Sequence, residues 1–191
     1  MKTETNTKKQ FIINTAADLF KEKGYSASSM RDLAARVGIE PSSIYSHIRS
    51  KEDLLSEICM SCAIRFTEGM DLIYNAEFSS GDKIRALIDL HISIAYDHPA
   101  SVTVFNDEWK FLHHQVLSEF LTARKEYENK FKQILLEGRN AGNFEFNFVD
   151  IVFNIIIKTL SWSYHTVNKQ NKSELQAEVT SFILKAINKN G

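Results

Sequence analysis

The chain of 191 residues contains only 7 glycines, 2 prolines and 2 cysteines. A β-sandwich needs a turn every ten residues or so, and turns draw on glycine and proline, so their scarcity argues against an all-β fold. It equally excludes collagen-like, linker-rich and broadly disordered chains. Two cysteines make no disulfide framework, which sets a reducing, cytoplasmic compartment as the expectation. No apolar run approaches the roughly 18 residues of a membrane span, and the polar start Met1-Lys2-Thr3-Glu4 does not read as a secretory leader, so no membrane partner is expected. Net charge is nearly absent too, at −1, which on its face weakens a nucleic-acid reading.

That average conceals an asymmetry. Residues 1–51 carry nine Lys/Arg against five Asp/Glu, a head of +4, and the remainder carries 14 against 19, a body of −5. Opposite signs suggest two modules with different partners, divided here as 1–52 and 53–191. What fills both is helical periodicity. Phe11, Ile12, Ala16, Leu19 and Phe20 form one stripe over 7–23, which Gly24 ends. Ser29 and Asp32 have capping-box spacing before a short helix, Gly38 breaks that helix, and Pro41 suits the first turn of the next, expected over 41–48. Further helices are expected over 51–76, 81–97, 113–141, 148–168 and 173–188, with a short helix or turn after Pro99. No stretch alternates with period two long enough for a sheet. The expected fold is all-α: an N-terminal three-helix domain, then a helical body.

Two short helices joined at Val37-Gly38-Ile39 have helix-turn-helix geometry, although the same spacing also fits an ordinary helical hairpin. The second helix turns Ile44 and Ile48 inward and displays Ser42, Ser43, Tyr45, Ser46 and His47. Small hydroxyls, an aromatic ring and an imidazole on one outer face are poorly explained by stability. They can reach base edges and phosphates once the helix enters a major groove of double-stranded DNA. Lys51 lies just beyond, placed for a phosphate.

The stretch Gly24-Tyr25-Ser26-Ala27-Ser28-Ser29-Met30-Arg31-Asp32-Leu33-Ala34, and above all the run Tyr45-Ser46-His47-Ile48-Arg49-Ser50-Lys51-Glu52-Asp53-Leu54, resembles the TetR family of transcriptional regulators. The resemblance implies a homodimer that binds a palindromic operator and releases it when a small-molecule effector enters the C-terminal domain. It places Ser29 and Arg31 at the start of the helix before the recognition helix, where they contact phosphate or base. It also makes Lys51 the phosphate-contacting lysine.

In the body, residues 148–164 are apolar nearly all round, so one face is expected to meet a partner subunit, the alternative being a central helix in a monomer. The family resemblance pairs the last two helices across a two-fold axis, with Ile156, Leu160, Val179, Phe182, Ile183 and Ile187 at the interface. Rings with polar tips are unusually frequent in the expected core and can line a ligand cavity, or simply fill it. The candidates are Phe66, Met70, His91, Phe105, Trp109, Tyr127, Phe131 and Phe153, together with Trp162 and Tyr164. The segments His98-Pro99-Ala100, Glu108-Trp109, 123–128 and 137–144 are similar to regulators of fatty-acid, sterol and phenylacetate breakdown. That similarity implies an acyl-CoA ester as effector, with Arg124 or Lys125 near the cavity mouth.

Cys59 and Cys62 have CxxC spacing, but zinc needs two more ligands and a redox motif needs a βαβ setting. They read as small buried apolar residues, with a redox or metal role as the minority option. No metal or cofactor is expected, and no nucleophile–base arrangement supports catalysis. A helical ligand carrier or enzyme stays open as the alternative function.

Overall fold

The computed structural model describes residues 2–163 and 171–189. They form α1 (Lys2–Lys23), α2 (Met30–Val37), α3 (Pro41–Ile44), α4 (Lys51–Asn75), α5 (Ser80–Asp97), α6 (Pro99–Asp107), a 3₁₀ turn (Trp109–Phe111), α7 (His114–Asn140), α8 (Val149–Ser163) and α9 (Lys172–Ile187). Among the described residues the extended pairing amounts to one antiparallel bridge, Phe144 with Asn188. The fold is all-α, as the periodicity predicts.

Packing divides the chain into two compact units, Met1–Ala63 with Ala100–Leu121 and Ile64–Pro99 with Thr122–Gly191. This division differs from the one drawn on charge at residue 52. Residues 53–63 and 100–121 share the core of the first unit, where Leu54, Leu55, Ile58 and Phe120 are buried with Ile12, Leu19 and Ile44. Such a core joins helices from the two ends of a long loop of sequence, and charge counting along the chain carries no trace of it.

The local rules account for most boundaries of the first unit. Gly24 closes α1 at φ +81°, its N–H donating to Phe20 O at 2.8 Å. The Ser29 hydroxyl accepts from Asp32 N, and the Asp32 carboxylate accepts from Ser29 N, which makes a reciprocal cap on α2. The Ser29 hydroxyl and N–H, with Lys23 alongside, hold the Asp32 carboxyl at about 2. Ser29→Ala is expected to cost about 1 kcal/mol, measured by urea unfolding, because it leaves the Asp32 N–H without its acceptor. Gly38 then reverses the chain in the left-handed region at φ +74°, where a Cβ strains the backbone. Ile39 follows it against the core.

One helix is shorter than expected. α3 is regular only over Pro41–Ile44 and continues through 45–47 as a turn rather than an eight-residue helix. Serines explain it: Ser46 Oγ donates back to Ser43 O at 2.7 Å, a side-chain bond that competes with the helical ladder. In the second unit α8 and α9 both pack on α5, whose Ile84, Leu87, Ile88 and Ile92 are fully buried. Gly138 is required there by close approach, since a Cβ would stand 2.2 Å from the Phe144 ring. Residues 164–168, expected to extend α8, lie outside the described residues, as does Tyr164.

Candidate nucleic-acid interface and ligand site

The first unit presents the predicted reading surface on its outside. Ile44 and Ile48 are buried, while Ser42, Ser43 and Ser46 are exposed, His47 is half-buried and Tyr45 is 54% exposed. A tyrosine that open on a turn of a small core contributes little to folding. Two cations flank it in sequence. Arg31 and Arg49 are exposed and form no ion pair with the described residues, whereas Lys9 pairs with Glu57, Lys23 with Asp32 and Arg36 with Glu22. The +4 of the head is therefore partly neutralised internally, and Arg31 and Arg49 are cations left for an external anion. Composition treats all the head's cations alike, so which of them are paired emerges only from the structure.

Two of the predicted contacts already have structural work. Ser29 is held in the α2 cap. Lys51 donates from Nζ to Tyr25 O and Ser28 O, both at 2.9 Å, and lies 4.3 Å from the centroid of the Tyr25 ring. Lys51 ties α4 to the turn before α2, so its first role is to position that turn, and one N–H remains for a phosphate. Sequence reasoning missed Tyr25, the hub of this joint. Its N–H donates to Glu108 Oε1 at 3.2 Å, and its ring packs on Phe20 and Phe111 at 5.3 and 5.4 Å. Desolvation raises its phenol to about 12.

The eight residues proposed as a cavity lining are shared between the two units. Phe105 and Trp109 belong to the first unit, packed on Phe120 at 5.3 and 5.9 Å. The other six lie in the second unit, where five of them form a continuous ring contact. Phe66 and His91 are 4.8 Å apart, His91 Nε2 and Tyr127 Oη 2.7 Å, Tyr127 and Phe131 6.3 Å, and Phe131 and Phe153 5.5 Å. Met70 is buried in the same unit. Burial without a counter-charge holds the His91 imidazole down at about 4 and raises the Tyr127 phenol above its ordinary value. A shallow groove of about 610 Å³, lined by Arg85, Thr180, Leu184 and Lys185 among others, includes none of these eight residues. Arg124 is exposed, and Lys125 pairs with Glu128 at 3.3 Å. Trp162, expected among the core rings, is instead 62% exposed.

The helix that is apolar all round resolves into two stripes. Phe153, Ile156 and Leu160 face inward within the protomer, and Ile151, Ile155 and Trp162 face out, with Phe148 just ahead. On α9, Ile183 and Ile187 are buried, Val179 is half-buried and Phe182 is exposed. Four of the six residues expected at a partner interface, Ile156, Leu160, Ile183 and Ile187, thus belong to the protomer's own core. Both stripes of α8 are made of large apolar side chains, so side-chain type carries no signal of which one faces α5.

Both thiols, Cys59 and Cys62, are buried. Desolvation pushes Cys59 up to about 12, which leaves almost no thiolate for oxidation. Among the described residues no group of three or more His, Cys, Asp or Glu could hold a metal, and no helix is long and apolar enough to cross a membrane.

Comparison with known proteins follows the same division of labour along the chain. Residues 12–58 match the family of bacterial regulatory proteins of the tetR type, and residues 77–187 match the tetracyclin repressor-like C-terminal domain. The chain is 29% identical over 135 residues to the HTH-type transcriptional repressor KstR2 of Rhodococcus jostii, covering 69% of this chain and 63% of that one. The structure of the ketosteroid transcriptional regulator KstR2 of Mycobacterium tuberculosis is similar with a TM-score of 0.86 at 22% identity over 95% of both chains. AibR, solved with isovaleryl coenzyme A and operator DNA, gives 0.79 at 18% identity over 92% of this chain and 97% of that one. Those structural likenesses speak for the fold, and the two family matches speak for descent: the chain belongs to the TetR family of bacterial transcriptional regulators.

Proposed function

We propose that the protein is a homodimeric repressor that binds a palindromic operator and releases it when an acyl-CoA ester enters its C-terminal body. In this reading residues 1–52 hold the DNA-reading surface and 53–191 the effector and dimer functions. The observation that carries it is the exposed set Arg31, Ser42, Ser43, Tyr45, Ser46 and Arg49, held on a buried Ile44–Ile48 base and without structural employment for Tyr45 or the two arginines. Serine and tyrosine hydroxyls suit base edges and phosphates, and arginines suit phosphate or guanine. His47 and Lys51 stand at the margin of this set. The acyl-CoA reading is supported by the family and by the ligand that AibR holds, together with an aromatic interior in the second unit.

The dimer reading is supported by the exposed stripe of α8 with Phe182 of α9, apolar surface that a monomer would leave wetted. Two heads one helical turn apart match a palindrome. Release requires only that the effector bind the non-operator state more tightly than the operator state, and the coupling is reciprocal.

The test is fluorescence anisotropy on the DNA upstream of the protein's own gene. Tyr45→Ala is expected to weaken binding tenfold or more, on the order of 1–3 kcal/mol for a lost base contact, with an unchanged melting midpoint. Arg31→Ala is expected to weaken binding on all sequences and to lower the salt slope by about one. Unchanged affinity in both variants, or no retention of any upstream fragment at low salt, removes the reading.

A further inference from the structure

The His91–Tyr127 pair is a polar element inside an aromatic interior that folding alone does not require. Both residues sit in the second unit, between Phe66 on one side and Phe131 and Phe153 on the other. Leucine and phenylalanine would fill the same places without desolvating a ring nitrogen and a hydroxyl. The pair is therefore a feature to be explained by recognition.

Counting hydrogens says what it recognises. A neutral imidazole carries one N–H and a tyrosine one O–H, so the pair holds two donors. The 2.7 Å contact between His91 Nε2 and Tyr127 Oη uses one of them. Whichever tautomer is present, one donor is left over: His91 Nδ1–H if the tyrosine donates, or Tyr127 O–H if the imidazole does. His91 Nδ1 has no partner among the described residues. Yet no enclosed side-chain nitrogen or oxygen among them lacks a hydrogen bond, so that nitrogen is not fully enclosed. As a residue His91 is half-buried, with rings of Phe66 and Tyr127 against it.

The surroundings choose among acceptors. A carboxylate at this position would need a cation, and Lys132, which stands 5.2 Å from the Phe153 ring centroid, is already paired with Glu128 and Asp150. Burial keeps His91 itself uncharged at neutral pH. One neutral donor in an aromatic setting suits an uncharged carbonyl attached to an apolar chain.

We propose that His91 and Tyr127 form the polar subsite that binds the thioester carbonyl of an acyl ligand, with Phe66, Phe131 and Phe153 holding the acyl chain. The assignment rests on the reading of the body as an acyl-CoA sensor and adds the atoms that discriminate an ester from other apolar molecules.

The test compares octanoyl-CoA with its thioether analogue S-octyl-CoA, in which a methylene replaces the carbonyl, by calorimetry on the full chain. Wild type is expected to bind the thioester about tenfold more tightly, the worth of one hydrogen bond to an otherwise idle donor. The double variant His91→Leu with Tyr127→Phe, which removes both donors and leaves no polar group stranded, is expected to bind the two ligands equally. Equal affinity in wild type overturns the subsite and leaves the acyl-CoA reading standing. Retention of the tenfold preference in the double variant overturns it as well. Failure of wild type to bind either ligand overturns the subsite and the acyl-CoA reading together.

Discussion

Replacing Ile155 with glutamate is expected to turn the protein into a monomer and to weaken operator binding by a factor of about 100 or more. Ile155 is 57% exposed in the middle of the outward stripe of α8, between Ile151 and Trp162. In an isologous interface the same substitution appears twice, once in each protomer. Two carboxylates would then be taken out of water in an apolar stripe. Each unpaired buried charge costs several kcal/mol, enough to dissociate a dimer of ordinary affinity. Operator binding falls in consequence, because each head loses the effective concentration supplied by the other. Light scattering after gel filtration reads the mass, and anisotropy reads the affinity. Leu72→Glu, also exposed but on α4, is the matched control and should remain dimeric. A dimer that survives Ile155→Glu places the interface elsewhere on the surface.

The second large effect is on stability in mild acid. The His91 imidazole is held at about 4 in the folded protein, below its ordinary 6.5, through desolvation. The unfolded chain therefore binds a proton that the folded one refuses. Stability from this group is complete above pH 6.5 and declines as pH falls toward 4. At pH 5 the loss is on the order of 2 kcal/mol. His98, also lowered by burial and by Arg65, adds in the same direction. Asp32, Glu22, Glu128 and Asp150 are held below their ordinary values by their partners, so their contributions fade only in stronger acid. Urea unfolding at pH 7.5 and pH 5 isolates the histidine contribution. The His91→Leu, Tyr127→Phe protein should lose about 2 kcal/mol less than wild type between the two conditions. Equal losses in the two proteins would show that His91 is solvated in the folded state.

Most of the head is legible in the residues because its signals are local. A cap closes over three residues, as Ser29 and Asp32 do, and a left-handed turn needs the glycine found at 38. The inward step from Ile44 to Ile48 leaves Tyr45 and the serines outside by helical geometry alone. The same local logic overstated α3, since Ser46 bonds back to the Ser43 carbonyl and loosens the turn. Lys51 shows where local reading stops. Its position beside the reading surface is visible in sequence, but its bonds to Tyr25 and Ser28 depend on how α4 meets a turn more than twenty residues earlier.

Sequence by itself determined that this protein is helical throughout, that a helix-turn-helix opens it, and that α8 has too much apolar surface for one neighbour. Periodicity, capping and glycine placement act within a few residues and can be read in order along the chain. Tertiary structure decided which stripe of α8 is core and which is left outside, and which head cations are neutralised by Glu57, Asp32 and Glu22. It also decided that residues 100–121 join the core of the head, and that a lone histidine and a lone tyrosine meet at 2.7 Å across 36 residues. These are outcomes of long-range packing, in which equivalent isoleucines or lysines are sorted by what they come to lie against, and no property of the single residue records that choice.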